Sequence, residues 1–190
     1  MKAKLSLLFV GLAISSTAFL AQTPVAAPVP PLPPAMAANP VVWSANQIYD
    51  RQSKWMITAA EQMPADKYGY HPTPDQWTFA KIVSHVAAAN GGVCGLLSDQ
   101  PSPATVKVAE TATKPELVAA VKASFAFCDT VMANLHDDKL GDPIIYFRGA
   151  HVPRARALIE LTDDLEDHYS QMASYLRLNG MLPPSATPKK

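Results

Sequence analysis

Proline decides where this chain can and cannot be helical. The sequence holds 18 prolines, and they are not spread evenly. Seven fall in "TPVAAPVPPLPPAMAANP", residues 23–40. Pro64 closes the apolar-periodic run that follows, and "PADKYGYHPTPDQW" carries three prolines and a glycine. Pro183-Pro184 forbid any helix beyond Gly180. A proline lacks the amide proton and clashes with the preceding turn, so each cluster is a boundary.

Between these boundaries the apolar residues recur at three and four spacing. Asn39-Pro40 can start a first helix, with Asn as cap and Pro in the first turn. Ala45, Ile48, Gln52, Trp55, Met56, Ala59 and Met63 continue it. Thr78 opens a second, whose apolar face is Phe79, Ile82, Val83, Val86, Val93 and Leu97. Gly91-Gly92 inside it either weakens the helix or admits a close contact. Thr113-Lys114-Pro115-Glu116 is a capping-box start for a third, carrying Leu117, Val121, Phe125, Cys128, Met132 and Leu135. A fourth runs from about Pro153 to Asn179, with Gly180 as left-handed terminator. "IIYF", in the connection before it, is a candidate short extended piece. Four amphipathic helices with no strong strand pattern predict an all-α four-helix bundle. No internal repeat is visible.

The bundle occupies residues 40–186. Ahead of it, "MKAK" and the largely apolar run "LSLLFVGLAI" have the form of a signal peptide, residues 1–21. Small residues offer cleavage after Ala18 or Ala21; an uncleaved anchor is the competing reading. Residues 22–39 form a Pro/Ala-rich linker, polyproline-like and unable to build a core, a tether or a ligand for a partner domain. The expectation is an exported protein, periplasmic or secreted, that meets a membrane only through its signal segment. Sixteen basic and sixteen acidic residues give no net charge to attract nucleic acid. There is no G-x-S-x-G elbow, phosphate loop or H-E-x-x-H.

The chemistry gathers in the last helix. Leu158, Leu161, Leu165, Met172 and Leu176 form one stripe, and His168 falls on it. Asp164 lies one turn earlier on the same face. Asp163, Glu166 and Asp167 point elsewhere and read as solvated. His85 sits at the margin of the second helix's apolar face. Two inward histidines and a carboxylate suit a divalent cation, with positions open for water or substrate. The alternative is a buried His–Asp pair with no metal. Tyr49, Trp55, Tyr169 and Tyr175 read as packing, with Tyr169 a candidate pocket wall beside His168. His71, His136 and His151 lie in connections, and His151 stands near one end of the bundle.

Two stretches, "YGYHPTPDQWTFAKIVSHVAAAN" and "DDLEDHYSQMASYLRLNGMLPPS", resemble the DinB-like proteins. The matching features are Trp77 before the capping Thr78, His85 eight positions after that Trp, and the "HYSQMASYLRLNGMLPPS" ending. The resemblance covers roughly residues 42–186 and is closest to a secreted branch. It implies a bundle of down-up-up-down order and a divalent metal held by three histidines, one on the second helix and a H-x-x-x-H pair on the fourth. His85 and His168 fill the outer positions, and Asp164 stands where the middle histidine belongs. The implied metal is zinc, nickel, iron or manganese. The implied activity is a metal-dependent transferase or hydrolase acting on a small molecule; a non-catalytic bundle with a degenerate site is the alternative. A homodimer is open. The down-up-up-down order puts Cys94 and Cys128 at similar heights on parallel helices, as a disulfide or as two packed thiols.

Overall fold

The computed structural model describes residues 30–186. The predicted signal peptide, the first part of the linker (residues 22–29) and the last four residues lie outside the described residues. Five α-helices and one small hairpin are present among them: α1 (Pro34–Ala38), α2 (Pro40–Gln62), α3 (Phe79–Ser98), α4 (Lys114–Met132), β1 (Pro143–Ile145), β2 (His151–Pro153) and α5 (Ala155–Leu178). The four long helices are the four read from periodicity. α1 departs from the polyproline expectation for the linker: it is one turn of helix and buries no residue.

Cross-helix contacts give the order of the bundle. On α2 and α5, Arg51 pairs with Glu166 and Trp55 stacks on Tyr169, so both numbers rise together and the helices are parallel. On α3 and α4, Asn90 Nδ2 donates to Ser124 Oγ at 3.2 Å and Cys94 is bonded to Cys128, so these too are parallel. α3 and α5 run antiparallel, with Trp77 beside Tyr175 and Leu97 beside Arg154. α2 and α4 do the same, with Tyr49 beside Asp129 and Glu61 beside Lys122. The result is up-down-down-up, the implied order seen from the other end.

The Cys94–Cys128 pair is a disulfide, with Cα atoms 5.4 Å apart and a sequence separation of 34. The choice between bridge and packed thiols is thereby made: parallel helices at one height hold these Cα atoms at bonding range.

The core collects the predicted stripes. Phe79, Ile82, Leu117, Phe125, Leu158, Leu161, Leu165, Met172 and Leu176 are each at most 2% exposed. Burying each such side chain contributes roughly 1.5–3 kcal/mol. α3 has the length and apolarity of a membrane span, yet most of its large apolar residues lie inside the bundle.

The helix ends are tied by side chains. Thr78 Oγ1 accepts from Lys81 N at 3.1 Å, and Thr113 with Glu116 completes the capping box. The start of α2 differs from the sequence reading. Asn39 does not cap it; its Oδ1 accepts from the Asp137 amide at 2.9 Å. The Asp137 carboxylate takes the Val41 and Val42 amides instead, at 2.9 and 2.8 Å. A carboxylate suits the positive end of the helix dipole better than a neutral amide, and this one comes from another part of the chain. At the same end of the bundle buried Arg154 closes α3, donating to Leu96 O and Leu97 O at 3.0 and 2.6 Å and to Asp99 Oδ2 at 2.8 Å. Gly180, with φ +74°, ends α5 as expected.

The expected extended piece is β1, paired antiparallel with β2 as Ile144↔Val152. Pro153 belongs to that hairpin, so α5 starts two residues later than the sequence suggests. Gly92 lies under the hairpin: a Cβ there would stand 3.3 Å from Phe147 Cζ. Gly91 admits the 100–108 connection on its other side, where a Cβ would stand 2.5 Å from Val106 Cγ2. The glycine pair is a contact device.

Candidate metal centre

α3 and α5 cross with His85 and Asp164 facing each other. Asp164 and His168 are one turn apart, so both side chains meet the imidazole from α3. Asp164 Oδ1 stands 3.4 Å from His168 Nε2 and 3.5 Å from His85 Nε2. One ligand atom from each residue lies within 4.8 Å of the others. The three predicted residues are brought together.

The spacing fits a cation. Nitrogen and oxygen donors at about 2.0–2.1 Å in tetrahedral array sit about 3.3–3.4 Å from one another. The two edges at Asp164 are close to that value, and the histidine–histidine edge is bounded at 4.8 Å. Two imidazoles and one carboxylate form a borderline donor set that takes zinc, nickel, iron or manganese and leaves positions free.

Trp77 is the wall of the site. Its indole lies parallel to His168, centroids 5.6 Å apart and planes 16° apart. It meets His85 edge-on at 5.0 Å. The Lys81 ammonium stands 4.8 Å from the indole centroid. One residue before the Thr78 cap is where a large ring can fold back over the first turns of α3, onto His85. His168 is 8% exposed and His85 38%, so the approach from solvent is on the His85 side.

Burial works against the charge on Asp164, but hydrogen-bonding and Coulombic interactions with His168 and then His85 outweigh it. They hold the carboxyl well below the usual carboxylate range. Burial also disfavours charge on His168, yet Asp164, with a smaller contribution from Asp167, raises the imidazole above its ordinary value. At neutral pH Asp164 is an anion aimed at two ring nitrogens, the state a ligand needs.

The DinB superfamily model matches residues 48–172. The chain belongs to the DinB superfamily. No curated protein sequence matches it. Solved structures with the same fold include a DinB-like protein from Bacillus subtilis, with a TM-score of 0.59 at 20% identity over 75% of this chain and 100% of that one. A DinB-like protein from Bacillus cereus ATCC 10987 has a TM-score of 0.58 at 16% identity, over 75% and 95%. A mycothiol-dependent maleylpyruvate isomerase has a TM-score of 0.57 at 14% identity, covering 69% of this chain. The DinB-type chain spans 60% of the length of that isomerase. At these identities the likeness shows the fold alone.

The remaining site readings divide. Asp163, Glu166 and Asp167 are exposed, as predicted. Tyr169 does not line the site: it turns to α2, stacks on Trp55 with centroids 5.1 Å apart and accepts the Ser185 amide at 2.8 Å. An adjacent helix residue is rotated by about 100°, so it faces a different neighbour. His71, His136 and His151 are exposed; His151 lies on β2, paired with Ile145. The sequence reading missed the stacking role of Trp77. It also missed a cleft of about 360 Å³ beside His168, lined by Asp75, Gln76, Trp77, Asp167, Gln171 and Tyr175.

Proposed function

We propose that His85, Asp164 and His168 hold one divalent cation and that the protein is an exported metal-dependent enzyme of transferase or hydrolase type acting on a small molecule. The observation that carries this is the convergence of both Nε2 atoms on one Asp164 oxygen at 3.4 and 3.5 Å, two helices supplying one donor set. When bound, the cation supplies Lewis-acid charge that lowers the pKa of a thiol or water.

The chain's own residues do the rest. Asp164 contributes the negative charge that two neutral imidazoles lack. Trp77 packs on both rings and limits their rotation. The more open His85 side admits the substrate.

Export is part of the reading. "MKAK" with its apolar run supports it, and so does the Cys94–Cys128 bridge, since structural disulfides persist in oxidising compartments. A mature chain from the periplasm starting after Ala18 or Ala21 supports it; an intact Met1 in the cytoplasm refutes it.

A second reading has its own observation. Asp164 already satisfies both histidines by charge, which a degenerate, non-catalytic bundle would also show. Metal analysis of protein purified without a histidine tag separates the two. After loading with zinc, nickel, iron or manganese, the parent is expected to retain about one equivalent and His168→Ala none. A parent that holds no stoichiometric metal under any of these conditions refutes the enzyme reading.

A further inference from the structure

His168 has two ring nitrogens, and only one of them faces the cluster. Nε2 is turned to Asp164. Nδ1 is buried and has no hydrogen-bond partner among the described residues. A buried polar atom left unpaired is destabilising. Two side chains stand nearby: Asp167 Oδ2 is 3.9 Å from Nδ1, and the Gln171 amide also interacts with the ring; of the two, only Asp167 carries a charge.

Asp167 is not simply a solvated acid. Gln171, one turn on, donates its Nε2 to that same Oδ2 at 2.9 Å, which holds the carboxylate on the His168 side of α5. The Asp167 side chain is 64% exposed, so no packed neighbour blocks a small shift of the carboxylate. A movement of about 1 Å brings the contact to hydrogen-bond length, and a charged acceptor makes such a bond roughly twice as strong as a neutral one.

Ligating histidines commonly donate their second ring N–H to a carboxylate, which fixes tautomer and ring orientation. Asp164 cannot do this for His168, because it faces the nitrogen that would bind the cation. The two acids therefore divide the work by which nitrogen they meet.

We infer that Asp167, held by Gln171, is the positioning residue of the site: it accepts Nδ1–H of His168 and leaves the Nε2 lone pair for a divalent cation. The inference rests on the metal-site reading above. It is distinct from that reading, because Asp167 touches neither the cation nor the substrate.

The test is zinc affinity of tag-free protein by chelator competition, with the His168 tautomer read by long-range proton–nitrogen NMR on the zinc-loaded form. Asp167→Ala is expected to weaken zinc binding roughly 10–100-fold, and Gln171→Ala by less. Asp167→Asn, which keeps an acceptor, is expected to fall between Asp167→Ala and the parent. Asp163→Ala, an exposed acid facing away, serves as the control and stays at the parent value. The parent NMR signature is expected to be Nδ1–H. Asp167→Ala within about twofold of a zinc-binding parent, or a parent His168 carrying its proton elsewhere, overturns the inference alone. A parent that binds no zinc overturns the metal-site reading and this inference with it.

Discussion

Removing the Cys94–Cys128 bridge has an effect that can be sized from the structure. The bridge closes a loop with a sequence separation of 34 residues. In the chain-entropy account, freeing a loop of that length returns about 3.8 kcal/mol of conformational freedom to the unfolded chain at 25 °C. For a domain of this size each kcal/mol moves the midpoint by about 2–4 °C, so the expected fall is about 8–15 °C. The perturbation is Cys94→Ala with Cys128→Ala, followed by far-UV circular dichroism during heating. Both cysteines are fully buried, so the substitutions also remove packed sulfur. Parent protein reduced while unfolded and refolded in reductant separates the two effects, since it loses the link and keeps the atoms. The double variant should melt at or below the reduced parent. If both melt within about 2 °C of the oxidised parent, the bridge constrains nothing that folding does not already constrain, and the reasoning fails.

Three other perturbations read the site and the α3 contacts. Asp164→His completes a three-histidine set and should tighten zinc binding in a chelator competition; unchanged affinity would place Asp164 outside the site. In metal-free protein the lowered Asp164 contributes stability above its ordinary value of 3.8 and loses it as pH falls, while the raised His168 contributes stability below its ordinary value of 6.5 and loses it as pH rises through its raised value. The melting temperature should therefore peak between those values and fall on the alkaline side; Asp164→Asn should flatten the alkaline fall, and a parent that is already flat from about pH 6 to 8.5 refutes the coupling. Gly91→Ala gains about 1 kcal/mol of helix propensity but drives a methyl into Ser102 and Val106; overpacking of about 1–3 kcal/mol should win and lower the midpoint, and a stabilised variant would show that the 100–108 connection yields.

The four helices were legible because each has an apolar stripe bounded by proline or a capping residue, and those signals are local. Thr78, Thr113 and Gly180 did in the structure what their types suggest. His168 and Asp164 were legible for the same reason, since i,i+4 residues share a face whatever the fold. What local pattern cannot carry is the identity of a partner far along the chain. Asn39 looked like a cap, but the carboxylate that caps α2 lies 95 and 96 residues away from the amides it accepts. Tyr169 looked like a site neighbour because it is next to His168, yet its ring belongs to the α2 interface. Asp167 was assigned to solvent by helical periodicity and is exposed, but periodicity says nothing about an imidazole nitrogen at its margin. Trp77 precedes its helix, so helical periodicity does not place its ring at all.

The cap at α2 has a consequence for how the chain's front end can be handled. Val41 and Val42 are held by Asp137, and the turn ahead of Asn39 buries nothing. The first long helix thus takes its starting signal from a residue 96 positions further along the chain than Val41 and not from the turn that precedes it. Trimming, lengthening or replacing the segment ahead of Asn39 leaves that signal in place. A bundle built this way tolerates a variable leader, and can hang from a tether of any length without its first turn unwinding.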